Sequence, residues 1–127
     1  MARLALPLLV LALAAGCGDR TTRKPPLSHS ALVARANGIC ARAKTNTGLL
    51  ARLHALRPPE TDKELYARLL KAEKDALEAG KPPKAEPKDP LFDPGVARTV
   101  AAGKISGYAR RLGATACAKR AIGTMMP

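Results

Sequence analysis

Thr61-Asp62-Lys63-Glu64-Leu65-Tyr66-Ala67-Arg68-Leu69-Leu70-Lys71-Ala72-Glu73-Lys74-Asp75-Ala76-Leu77-Glu78-Ala79-Gly80 reads as one amphipathic helix with its punctuation at both ends. Thr61 and Glu64 have the spacing of a capping box, in which a hydroxyl and a carboxylate each satisfy an orphan backbone N–H. Leu65, Leu69, Ala72, Ala76 and Leu77 recur at three- and four-residue steps, the period of a helix with one apolar face. Gly80 follows as the expected C′ residue, and Lys81-Pro82-Pro83 cannot continue the helix. Glu73 and Asp75, beside Lys71 and Lys74, are read as a solvated, salt-bridged face.

Upstream, Leu32, Ala36, Ile39, Ala43, Leu50 and Leu53 make a second helical stripe, placing a first helix at about Ser30 to Leu56 with Ser28 or Ser30 as N-cap. Thr45-Asn46-Thr47-Gly48 is weakly helical and is where this helix bends or breaks, and Pro58-Pro59 ends it. Downstream, residues 81–92 hold Pro82, Pro83, Pro87 and Pro90 among alternating charges and read as an extended linker. Asp93 and Pro94 then suit an N-cap and the first helical position. Ala97, Ala101, Ile105, Tyr108 and Leu112 align on one face, and Gly113 stops the third helix. Gly103 and Gly107 suggest close packing against a neighbouring helix of the same domain. A last short helix, Thr115 to about Ile122, carries Cys117. No strand or repeat pattern is present. The expected fold is therefore all-α: a small up-down helical bundle of three main helices plus a short C-terminal helix, stapled by one disulfide. Leu32, Ile39, Leu50, Leu53, Leu65, Leu69, Tyr108 and Leu112 are its expected shared core.

The N-terminus carries a different kind of signal. Arg3 precedes an apolar run from Leu4 to Ala15, which ends in Leu13-Ala14-Ala15-Gly16-Cys17. A membrane-spanning helix needs roughly 20 apolar residues, so this shorter run has the form of a signal-peptide core. Small residues before a cysteine are what lipoprotein processing requires. Residues 1–16 are thus expected to be a signal peptide, and Cys17 the lipid-bearing N-terminus with diacylglycerol and palmitate-type chains. Two or more chains give stable anchoring where one does not. The other reading is an ordinary secretory cut near Ala-x-Ala that leaves Cys17 unmodified. Residues 17–27 are expected to be a lipidated polar tether, 28–122 the helical domain, and 123–127 a tail. The expected location is extracytoplasmic, anchored to the cell membrane.

The sequence has a net charge of +12 at pH 7, unevenly spread. Residues 17–59 carry +7, residues 60–93 carry −2, and residues 94–127 carry +6 with no acidic residue. Arg35, Arg42, Arg110, Arg111, Lys119 and Arg120 are the candidate contacts for a polyanion such as anionic lipid or wall polymer. The competing reading is a solvated basic surface without specific recognition. No specific nucleic-acid contact is expected, and no protein partner is named by the sequence.

With Cys17 assigned to lipid, Cys40 and Cys117 remain. Outside the cytoplasm two such cysteines usually pair, closing a loop that is worth roughly 4 kcal/mol in the chain-entropy model. The alternative is two free thiols, one of them redox-active, although no Cys-x-x-Cys is present. His29 and His54 form no metal-binding or triad pattern, and no phosphate loop follows a strand, so neither enzyme activity nor a cofactor is expected. The functional expectation is a non-catalytic binding or interaction module at the cell surface, with a basic polyanion-binding surface protein as the alternative.

Ala36-Asn37-Gly38-Ile39-Cys40, Leu53-His54-Ala55-Leu56-Arg57-Pro58-Pro59, Tyr108-Ala109-Arg110-Arg111-Leu112-Gly113 and Cys117-Ala118 together resemble a group of small uncharacterised actinobacterial lipoproteins. Those share a lipobox, an A-N-x-I-C motif, L-x-x-L-x-P-P and an L-G…C ending. The resemblance implies a helical domain pinned between its first helix and its C-terminus, here by Cys40 and Cys117, and it implies no activity. This chain departs from the group in its proline-rich 81–92 segment and its high positive charge.

Overall fold

The computed structural model describes residues 24–82 and 93–123. The expected signal peptide, Cys17, most of the tether and of the 81–92 linker, and all but the first residue of the tail lie outside the described residues. Among the described residues five α-helices follow one another: α1 His29–Arg42, α2 Asn46–His54, α3 Lys63–Ala79, α4 Pro94–Leu112 and α5 Thr115–Gly123. No strand occurs among the described residues. The fold is all-helical and carries a Cys40–Cys117 disulfide.

The expected first helix is two helices. The Ser28 hydroxyl accepts from the Ala31 N–H and starts α1. After Arg42 the chain turns extended at Ala43, and Thr45 starts α2 by accepting from the Gly48 N–H at 3.1 Å. Thr and Asn side chains compete for backbone hydrogen bonds, which makes them poor helix interiors and good caps. The break resets the helical phase, so Leu49 is fully buried where Leu50 was expected.

The expected capping box does not form. Pro59 is extended, Glu60–Asp62 makes a single 3-10 turn with the Asp62 N–H donating to Pro59 O, and α3 starts at Lys63. Thr61 is thus inside the turn and cannot cap. Glu64 instead pairs with Arg68, and the Asp62 carboxylate takes the His29 imidazole at 2.7 Å. His29 opens α1. The tether is shorter than expected at its inner end. The Leu27 N–H donates to Arg57 O, the Arg57 guanidinium donates to Lys24 O, and Leu27 packs against the core.

Gly80 closes α3 in the right-handed region (φ −81°), with backbone bonds to Ala76 O and Glu78 O rather than a left-handed cap. Gly113 behaves differently. At φ +91° it is left-handed, its N–H donates to Arg110 O, and the Ala114 N–H reaches back to Ala109 O. This is a complete Schellman motif, and a glycine avoids its steric cost. It turns the chain through two residues from α4 into α5. The start of α4 matches expectation, with Asp93 Oδ1 accepting from the Gly95 N–H and Pro94 in the first turn.

One core unites the helices. Leu32, Leu49, Leu53, Tyr66, Leu69 and Leu112 are its large members, and many of the rest are alanines. Small side chains let helix backbones approach closely, which suits a chain with three aromatic residues in total. Tyr66 is fully buried and its hydroxyl donates to Leu53 O at 2.6 Å, satisfying a carbonyl in the last turn of α2. Burial also pushes the Tyr66 pKa up. The stripe Tyr66, Leu69, Ala72 shows that the inner face of α3 is rotated slightly from the one centred on Leu65 and Leu77. Gly103 and Gly107 do not form a packed notch. They are exposed and, with exposed Val96 and Val100, lie on the outer face of α4. Ala102, Ile105, Ala109 and Leu112 occupy the inner one, because α3 and α5 both pack there.

Candidate functional site

α5 is held along α1 by three consecutive connections. The Ala116 N–H donates to Asn37 Oδ1 at 2.9 Å, Cys117 is bonded to Cys40, and Arg120 donates to Ala43 O at 2.7 Å. These are positions 37 and 40 of α1 and its C-cap residue 43, three residues apart along one side of the helix. Ala36, wholly buried beside them, keeps the two helices close. Arg120 also reaches Asn46 Oδ1 at 3.2 Å. Its guanidinium thereby occupies the carbonyl end of α1, where a cation complements the helix dipole.

This arrangement places Arg120 in the wall of a cleft of about 520 Å³ shared by α3, α4 and α5. Its polar lining includes Glu73 from α3, Arg98 and Thr99 from α4, and Asn46 from the start of α2. Ala102 and Ile105 of α4 supply apolar surface. Glu73 is not on the solvated face where the sequence placed it. It stands seven residues after Tyr66 and four after Leu69, so it continues the inner stripe of α3, and it is half-buried. That phase was available from the sequence, but Glu73 was grouped with Lys71, Lys74 and Asp75 as surface. Lys71 and Asp75 do pair at 2.7 Å on that surface.

Burial raises the Glu73 pKa to about 7, and the positive charge of Arg120 partly offsets the rise. Near neutral pH the carboxyl is therefore divided between its acid and carboxylate forms. Glu73 makes no hydrogen bond to the described residues, and Arg98 has no partner among them. Thr99 is spent on a backbone bond to Gly95 O at 3.0 Å.

The other expected site residues are dispersed. Arg35, Arg42, Arg110, Arg111 and Lys119 are exposed, with Arg42 bonded to Gly38 O, while Arg120 is partly buried and engaged as described. His54 is exposed at the end of α2. Among the described residues no group of three or more His, Cys, Asp or Glu is arranged to hold a metal, and no helix is long and apolar enough to cross a membrane. No family model matches the chain, and neither a curated protein nor a solved structure is significantly similar to it.

Proposed function

We propose that this chain is an extracytoplasmic lipoprotein whose helical domain is a non-catalytic binding module held at the membrane by lipid on Cys17. The observation that carries this reading is the buried Cys40–Cys117 bond, with Cα atoms 5.0 Å apart, in a chain whose opening residues have the form of a lipoprotein signal. Disulfides persist in oxidising, exported compartments and are rare in the cytosol. We read the architecture as an up-down bundle in which α1 and α2 stand for one broken first helix, α3 and α4 follow, and α5 closes it. The binding role rests on the cleft. Its lining contributes one ionisable acid and two arginines, without a nucleophile beside a base. Lys24, clamped by Arg57, lies seven residues from Cys17. At the full reach of an extended chain that holds the body within about 25 Å of the anchor.

Cys17→Ala should leave the protein uncleaved or release it to the medium, and any cleaved protein should leave the detergent phase on partitioning. Unchanged partitioning of the cleaved substituted protein would refute lipid anchoring.

A second reading, a surface that binds polyanions, is favoured by one observation. Every ion pair among the described residues involves an acid between Glu60 and Glu78, so exposed Arg110, Arg111 and Lys119 on α4 and α5 have no acidic partner. If this surface binds anionic phosphatidylglycerol vesicles, affinity should fall steeply with added salt, because screening shortens the reach of exposed charges. Arg110→Gln/Arg111→Gln should flatten that dependence. Equal binding to neutral vesicles would remove this reading.

A further inference from the structure

We propose that the cleft between α3, α4 and α5 binds a small carboxylate with an apolar body, Arg98 receiving its charge in a wall shared with Glu73. This rests on reading the domain as a binding module and adds the chemistry of the ligand. Three observations point to it. The two guanidinium groups in the lining are not equivalent: Arg120 has its donors on Ala43 O, Cys40 O and Asn46 Oδ1, whereas Arg98 has no partner among the described residues. A single free guanidinium presents the planar, two-pronged donor set that a carboxylate matches; a doubly charged phosphate calls for more donors than this wall leaves free. Beyond the charges, Ala102 and Ile105 offer an apolar surface, and a volume of about 520 Å³ is that of a small-molecule site.

Glu73 supplies the pH dependence. The charged and polar groups that line the cleft with it are Arg98 and Thr99 from α4, Arg120 from α5 and Asn46 from α2, and of these Arg120 acts on its charge. As a carboxylate, Glu73 repels an entering anion and cancels part of the arginine charge. As an acid, it offers an O–H donor and leaves the cleft doubly positive. Its pKa of about 7 puts this exchange in the neutral range. An anion stabilises the acid form, so affinity is fully present below pH 7 and declines above it. If only the acid form binds, affinity falls about tenfold from pH 6 to pH 8. A cationic or zwitterionic ligand would need the ionised carboxylate and would show the opposite trend.

The test is a titration of the mature protein, in detergent, with hexanoate and separately with hexylammonium, followed by amide NMR shifts of Thr99, Ala102 and Ala121. Hexanoate should shift these signals saturably and bind up to about tenfold more tightly at pH 6 than at pH 8. Arg98→Gln, at an exposed position, should abolish the shifts while leaving the remaining spectrum folded. Glu73→Gln should bind hexanoate equally at both pH values. Shifts from hexylammonium but not hexanoate, or hexanoate binding indifferent to Arg98→Gln, would overturn the proposal. A cleft unmoved by hexanoate in a protein that still enters the detergent phase would remove the ligand and leave the anchoring intact.

Discussion

Reducing Cys40–Cys117, or replacing both cysteines by alanine, is expected to lower the melting temperature by roughly 15–30 °C. The sequence separation is 77 residues, so the bond joins the first helix to the last. In the chain-entropy model a loop of this size restricts the unfolded ensemble by roughly 4 kcal/mol, and 1 kcal/mol shifts a domain of this size by about 4–8 °C. Net stabilities of small domains are about 5–15 kcal/mol, so the loss is a large share of the whole. Both cysteines are nearly inaccessible, at 2% and 1% exposure, so reductant should act slowly on the native protein and readily after partial denaturation. The flanking bonds, Asn37 with Ala116 and Arg120 with Ala43, are expected to keep α5 in place at low temperature after reduction. Thermal scans by circular dichroism with and without reductant check the size of the effect. A melting temperature unchanged by the double substitution would show that the bond restrains nothing, and two alkylatable thiols in protein taken from its native compartment would show that it does not form there.

Leu69→Ala should cost on the order of 2–5 kcal/mol with the disulfide intact. Leu69 is 0% exposed in the middle of α3, and α3 packs against both α2 and α4. Truncation removes apolar atoms from a position with no route for solvent to fill the gap, and the surrounding alanines have no longer side chains with which to do so. Leu77→Ala is the control, since Leu77 is only half-buried and borders the cleft, and its cost should be clearly smaller. Urea unfolding should show a lower midpoint for Leu69→Ala with an unchanged slope. A change below about 1 kcal/mol would mean that the inner face of α3 is not the one containing Tyr66, Leu69 and Ala72.

The helical class and the disulfide partners were legible because both depend on local or categorical signals. Apolar spacing at 3.6 residues marks a helix wherever it packs, Asp93-Pro94 and Gly113 mark the ends of α4 by backbone geometry alone, and two cysteines left after Cys17 have few choices. Thr45 was recognised as a weak point but not as the N-cap of a separate helix, since Thr and Asn serve equally in bends and caps. Thr61 and Glu64 had the spacing of a capping box, yet the chain after extended Pro59 forms a 3-10 turn at Glu60–Asp62, and Asp62 pairs with His29, 33 residues away.

The cleft was not legible, for a different reason. Glu73 lies among Lys71, Lys74 and Asp75 in sequence; its spacing from Tyr66 and Leu69 gives its phase on α3, but only the packing of α4 and α5 makes that phase the wall of a cleft while Lys71 and Asp75 pair outside. Arg120 was one of six exposed-looking basic residues until α5 folded along α1 and brought its guanidinium to the carbonyls of Cys40 and Ala43. The sequence by itself determined that the chain makes helices, where most of them begin and end, and which cysteines remain to join them. The tertiary structure alone decided what those charges meet, because Glu73 is desolvated by α4 and α5, about 25 to 47 residues further along the chain, and Arg120 is engaged by carbonyls 77 and 80 residues away.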